Sequence, residues 1–158
     1  MKLENMYQEI ILDHYKRPHG KGLAEQFDAE VHHVNPTCGD EITLRVSRGA
    51  DGKIVVSYDN MGCSISQASA SIMFDQINNL DFESGEAAVE HLIAMLQRTV
   101  EADEDILGDG IALAGVAQYP ARVKCALLAW MAWKDAAIQA GADSNESKIS
   151  TESNKEQN

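Results

Sequence analysis

Glu41-Ile42-Thr43-Leu44-Arg45-Val46-Ser47-Arg48, followed by Asp51-Gly52 and then Ile54-Val55-Val56, is the stretch that decides the fold. Ile42, Leu44 and Val46 fall on one side and Thr43, Arg45 and Ser47 on the other, the period of two that a half-buried strand shows. Asp51-Gly52 is a hairpin turn signal, because both residue types tolerate positive φ. The pattern predicts an antiparallel pair over 41–48 and 53–58. Upstream, residues 29–34 hold Val31 and Val34 and stop at Asn35-Pro36, which predicts a third strand. Three consecutive strands make a small antiparallel sheet.

Helical patterns flank the sheet. Leu3, Met6, Tyr7, Ile10, Ile11 and His14 share one helical face, and Arg17-Pro18-His19-Gly20 ends that helix. After Gly62-Cys63, a stripe runs through Ile65, Ala68, Ser69, Ile72, Met73 and Gln76. Ser84 is the expected cap of a third helix carrying Val89, Leu92, Ile93, Leu96 and Val100. Asp103-Glu104-Asp105 and Gly108-Asp109-Gly110 read as turns, and residues 111–117 as a short apolar segment. Pro120 opens a last helix, with Val123, Ala126, Leu127, Trp130, Met131 and Lys134 on one side. Leu128 and Trp133 broaden its apolar face, so both tryptophans are expected in the core. The expected class is α+β: a small three-stranded antiparallel sheet with helices packed on one face, as a single domain over 1–141. Residues 142–158 are polar and read as a disordered tail.

The 158 residues are 44% hydrophobic, enough for one real core without disulfides. Thirteen Lys and Arg against 25 Asp and Glu give a formal charge of −12. Such a surface repels nucleic acid and anionic membranes, so neither is an expected partner. The polar start and the lack of a long apolar run predict neither a signal peptide nor a membrane span, and place the chain in the cytoplasm. Three cysteines do not make a disulfide framework, and a reducing compartment keeps them as thiols.

Each cysteine lies at a junction: Cys38 between the first two strands, Cys63 between the third strand and a helix, Cys125 near the start of the last helix. In Cys38-Gly39-Asp40, glycine lets the chain turn so that a thiolate and a carboxylate face one point. With Cys63 and Cys125 the set offers three sulfurs and an oxygen, enough for a closed tetrahedral zinc site or for iron. Three thiolates, a carboxylate and a divalent cation leave a charge of about −2, which Arg122 and Lys124 can offset while lowering a thiol pKa. Spacing alone leaves a second reading open, that of three buried, inert thiols. None of the five histidines has ligand-pair spacing with a cysteine, and they read as core or surface residues.

Four ordered motifs carry a resemblance: Tyr7 to Pro18 (YQEIILDHYKRP), Asn35 to Asp40 (NPTCGD), Gly62-Cys63, and Arg122 to Cys125 (RVKC). Together they resemble the IscU/SufU, or NifU N-terminal-like, family of iron–sulfur cluster assembly proteins, over about residues 3–140. Lys124 stands where the IscU branch typically has the histidine that helps bind metal. The stretch between Cys63 and Cys125 is also longer than in that branch, with the insertion expected within residues 80–110. Both departures resemble the SufU branch. The resemblance implies zinc on Cys38, Asp40, Cys63 and Cys125. It also implies a sulfurtransferase or sulfur-carrier role, in which Cys38 accepts persulfide sulfur from a SufS-type, PLP-dependent cysteine desulfurase. That sulfur passes to downstream Suf scaffold proteins. Arg122 and Lys124 are implied partner-binding or electrostatic residues. The alternative is an IscU-like scaffold holding iron or an iron–sulfur cluster on the same cysteines.

Overall fold

The computed structural model describes residues 2–145, and side-chain surroundings for residues 5–140. The alternating pattern forms strands β1 (Ala29–Asn35), β2 (Asp40–Arg48) and β3 (Ile54–Met61), in the order β1-β2-β3 and antiparallel throughout. The register pairs Asn35 with Asp40 and Glu41 with Met61. The β1–β2 loop and the end of β3 therefore lie at one end of the sheet. Ile42, Leu44, Val46, Ile54, Val56 and Tyr58 are buried and form the sheet's share of the core.

Helix α1 (Lys2–Lys16) precedes the sheet, and α2 (Ser64–Ile77), α3 (Phe82–Leu96), the short α4 (Glu104–Leu107), a 3-10 helix (Gly108–Val116) and α5 (Pro120–Asn145) follow it. The start of α3 differs from expectation. Asp81, not Ser84, is the cap: its Oδ1 accepts the Ser84 backbone N–H at 2.7 Å. A carboxylate at this position satisfies an orphan N–H and meets the positive end of the helix dipole, so it outcompetes a hydroxyl three residues later. Hydrogen bonds from Ser84, its backbone N–H first and its side chain second, hold the Asp81 carboxyl below its usual range. The acidic turn likewise contains structure, since Asp103 Oδ1 caps α4 through Asp105 N–H at 3.0 Å. The Gly108-Asp109-Gly110 segment is not a bare turn but opens the 3-10 helix. Helix α5 runs to Asn145, past the expected start of the polar tail, and residues 146–158 lie outside the described residues. No helix among the described residues is long and apolar enough to cross a membrane.

Helix α2 is the pivot of the domain, in contact with α1, α5, α3, β3 and the 3-10 helix. Its middle turns are Ala68-Ser69-Ala70-Ser71, all fully buried. Small side chains let neighbouring elements approach closely, but each buried hydroxyl then needs partners. Ser69 Oγ donates to the Ala126 carbonyl at 2.6 Å and accepts from Trp130 Nε1 at 2.9 Å. That pair of bonds fixes α5 against α2. Replacing Ser69 by alanine leaves the Trp130 N–H unpaired in the core. The expected loss is about 1–3 kcal/mol of stability, measured by denaturant unfolding; an unchanged midpoint contradicts the assignment.

Candidate thiolate site

Sheet register and the α2–α5 contact together bring the three cysteines to one place. Cys38 lies in the four-residue loop closed by the Asn35–Asp40 pair, its N–H donating to the Asn35 carbonyl at 3.2 Å. Gly39 has φ of +70°, a left-handed conformation that glycine adopts without strain. Cys63 is the N-cap of α2: its Sγ accepts from Ser66 N–H at 3.5 Å, so the sulfur sits at the positive end of the helix dipole. Cys125 lies one turn inside α5 and is 2% exposed.

Asp40 holds the centre and is 1% exposed. Its Oδ1 accepts the Cys63 backbone N–H at 2.8 Å, and its Oδ2 lies 3.8 Å from Cys63 Sγ. Cys125 Sγ is 3.3 Å from Cys38 Sγ, and ligand atoms of Cys38, Asp40 and Cys125 all lie within 4.8 Å of one another. Cys63 is not in that set of three and joins it through Asp40. Gly62 makes this contact possible. Its φ is +145°, and a Cβ there would sit 2.2 Å from Asp40 Oδ1 and 2.8 Å from Asp40 Cα. A side chain at position 62 would push the carboxylate out of the site.

The thiols differ in access. Cys38 is exposed, Cys63 half-buried and Cys125 buried. Burial, and then hydrogen bonds with Cys38, Asp40 and Cys63, push the Cys125 thiol well above the ordinary range. The flanking cations do not reverse this: Arg122 and Lys124 are exposed, and neither makes an ion pair among the described residues. Arg122 instead lines a groove of about 730 Å³ with Tyr7, Ile11, Tyr119 and Ser64, the residue after Cys63.

Two features went unread in the sequence. Asn35 is buried and its Nδ2 faces Cys125 Sγ at 3.9 Å; the sequence marked it as a strand stop and the first residue of a motif, without a role at the sulfurs. His14, on the patterned face of α1, is buried and hydrogen-bonded to Ser71 and Asp109, partners far away in the chain that no local pattern indicates.

The NifU-like N-terminal domain model matches residues 6–126, which include all four groups of this site. The chain belongs to the NifU-like N-terminal domain family. Within that family it is 42% identical over 132 residues to the zinc-dependent sulfurtransferase SufU of Bacillus subtilis, covering 82% of this chain and 88% of that one. It is 38% identical over 135 residues to the iron–sulfur cluster assembly scaffold protein IscU of Streptococcus pyogenes, covering 85% and 84%. A solved structure from Fervidobacterium islandicum, described as a candidate iron–sulfur cluster assembly scaffold for the SUF system, superposes with a TM-score of 0.71. It is 37% identical and covers 81% of this chain and 93% of that one.

The geometry orders the thiols' reactivity in metal-free protein. Alkylation at neutral pH, mapped by mass spectrometry, is expected at Cys38 first and at Cys125 last. A raised pKa keeps Cys125 in the unreactive thiol form at pH values where an ordinary cysteine, near 8.5, is half thiolate. Cys125 labelling should therefore stay slow up to at least that pH. Labelling of Cys125 at the rate of Cys38 contradicts the burial.

Proposed function

We propose that this protein is a cytoplasmic sulfur carrier for iron–sulfur cluster assembly, in which Cys38, Asp40, Cys63 and Cys125 hold zinc and Cys38 accepts the sulfur. The observation that carries the reading is the cluster of thiols around one buried carboxylate, with only Cys38 exposed. Three sulfurs and one oxygen suit a borderline-soft ion that favours four-coordinate sites, so the residues fit zinc. When bound, zinc would keep the thiols deprotonated and offset their charge.

The chain's own groups supply the rest. Cys38, on an exposed loop, can reach a partner's persulfide while Cys63, the cap of α2, and Cys125, within α5, stay anchored. Its thiolate attacks the outer sulfur of that persulfide. A new S–S bond forms at Cys38, the partner's S–S bond breaks, and the partner's thiolate leaves, with no net redox change. The donor that fits is a SufS-type, PLP-dependent cysteine desulfurase. The acceptors are downstream Suf scaffold proteins. Asp40 holds the Cys63 N–H and orients the site. Arg122, in the groove that Ser64 also lines, is a partner-contact residue, and exposed Lys124, next to Cys125 in sequence, adds positive charge.

The alternative, assembly of an iron–sulfur cluster in place, draws support from the thiolate set itself and from the scaffold relatives. Lys124 weighs against it, because an ammonium has no lone pair to give a metal.

Zinc content of the purified protein is expected to be about one per thiolate site. Cys38→Ala is expected to abolish stimulation of the desulfurase, and full stimulation by that variant would sink the assigned role. Gly62→Ala should lower zinc retention by displacing Asp40, read by metal analysis after dialysis against a chelator; retention equal to wild type would contradict the close approach. Anaerobic reconstitution separates the two readings. A stable, transferable cluster with no effect on desulfurase turnover favours the scaffold.

A further inference from the structure

Two sulfurs of the site touch, and they differ most in access. Cys125 Sγ lies 3.3 Å from Cys38 Sγ, so a shift of about 1.3 Å would bring them to the length of a disulfide bond. Cys38 is exposed and Cys125 is buried. Cys38 rides on the loop closed by the Asn35–Asp40 pair, beside Gly39 with its φ of +70°, whereas Cys125 is fixed within α5. The sulfur that can move is therefore the one that solvent reaches. Around Cys125 Sγ stand the Asn35 amide nitrogen at 3.9 Å and the Ala121 carbonyl at 3.8 Å.

Cys63 is placed differently. Its sulfur accepts from Ser66 N–H at 3.5 Å as the cap of α2 and lies 3.8 Å from Asp40 Oδ2. It stands outside the set of Cys38, Asp40 and Cys125, whose ligand atoms all lie within 4.8 Å of one another. We propose that Cys38 and Cys125 form a peroxide-sensitive dithiol, with Cys38 the oxidised residue and Cys125 the resolving thiol, and that their disulfide switches sulfur acceptance off. The switching rests on the sulfur-carrier reading; the disulfide itself does not.

The oxidant is a hydroperoxide. The Cys38 sulfur attacks one peroxide oxygen: an S–O bond forms, the O–O bond breaks, and hydroxide leaves, the sulfur having given up two electrons. The Cys125 sulfur then attacks the sulfenic sulfur. An S–S bond forms, the S–O bond breaks, and the hydroxyl departs as water with the Cys125 proton. Exposure decides the order of events, since peroxide arriving from solvent meets Cys38 before the buried Cys125. Proximity decides the product. A thiol already in contact captures the sulfenic acid before a second peroxide drives it to sulfinic acid, which a thiol reductant does not reverse. The bridge consumes the exposed acceptor thiol and a second sulfur of the same site, so sulfur acceptance and metal retention fall together and return on reduction.

Full-length protein as purified is treated with hydrogen peroxide at neutral pH, the remaining thiols are alkylated, and peptides are mapped by mass spectrometry without reduction. Bound metal and stimulation of the desulfurase are measured in parallel. The expected product is a Cys38–Cys125 bridge with Cys63 alkylated, together with loss of metal and of stimulation, all restored by dithiothreitol and zinc. Cys63→Ser should form the same bridge. In Cys125→Ser, Cys38 has no resolving thiol and should accumulate as sulfinic or sulfonic acid that dithiothreitol does not restore. A bridge with stimulation intact contradicts the acceptor role of Cys38, and with it the switch, but not the dithiol. A Cys38–Cys63 or intermolecular bridge as the main product, or over-oxidation of Cys38 as fast in wild type as in Cys125→Ser, overturns the proposal.

Discussion

The buried Asp40 carboxylate is the constraint around which this end of the molecule is organised. A carboxylate withdrawn from water costs several kcal/mol unless hydrogen bonds or opposite charge replace its hydration. Here the Cys63 N–H supplies one bond and the sulfurs of Cys38, Cys63 and Cys125 lie close by. Every local feature follows from that arrangement. Gly62 must lack a side chain, the Asn35–Asp40 pair must close the loop, and α2 must begin at Cys63 so that its free N–H groups point inward. A divalent cation among these donors would complete the compensation that hydrogen bonds begin.

The three sulfurs are held with unequal firmness. Cys125 is inside a helix fixed to α2 by Ser69 and Trp130, and Cys63 is a helix cap. Cys38 rides on a short exposed loop, the kind of segment that opens locally at low free energy. A sulfur carrier needs one thiol that moves and a frame that does not. The same division explains why burial and neighbouring thiols push Cys125, the deepest sulfur, toward its neutral form.

Much of the fold was legible in the sequence. The alternation over Ile42, Leu44 and Val46 and the Asp51-Gly52 turn reported local geometry that the structure adopts. Where reading failed, a stronger local competitor had won, as when Asp81 took the cap expected of Ser84. The meeting of the cysteines could not be read from spacing. It depends on the sheet register and on buried serine contacts between helices, interactions between residues far apart in the chain. The four family motifs pointed to it, because they carry the outcome of that packing without its cause. His14 lay on the patterned face of α1 and inside the first motif, but its partners Ser71 and Asp109 emerged only from the tertiary contacts.

Zinc K-edge X-ray absorption on protein carrying one equivalent of zinc tests the central claim most directly, that Cys38, Cys63, Cys125 and Asp40 act as one site. The predicted first shell is three sulfurs at about 2.3 Å and one oxygen at about 2.0–2.2 Å, falling to two sulfurs in Cys38→Ala. A shell dominated by nitrogen, or one unchanged by loss of Cys38, would contradict the account.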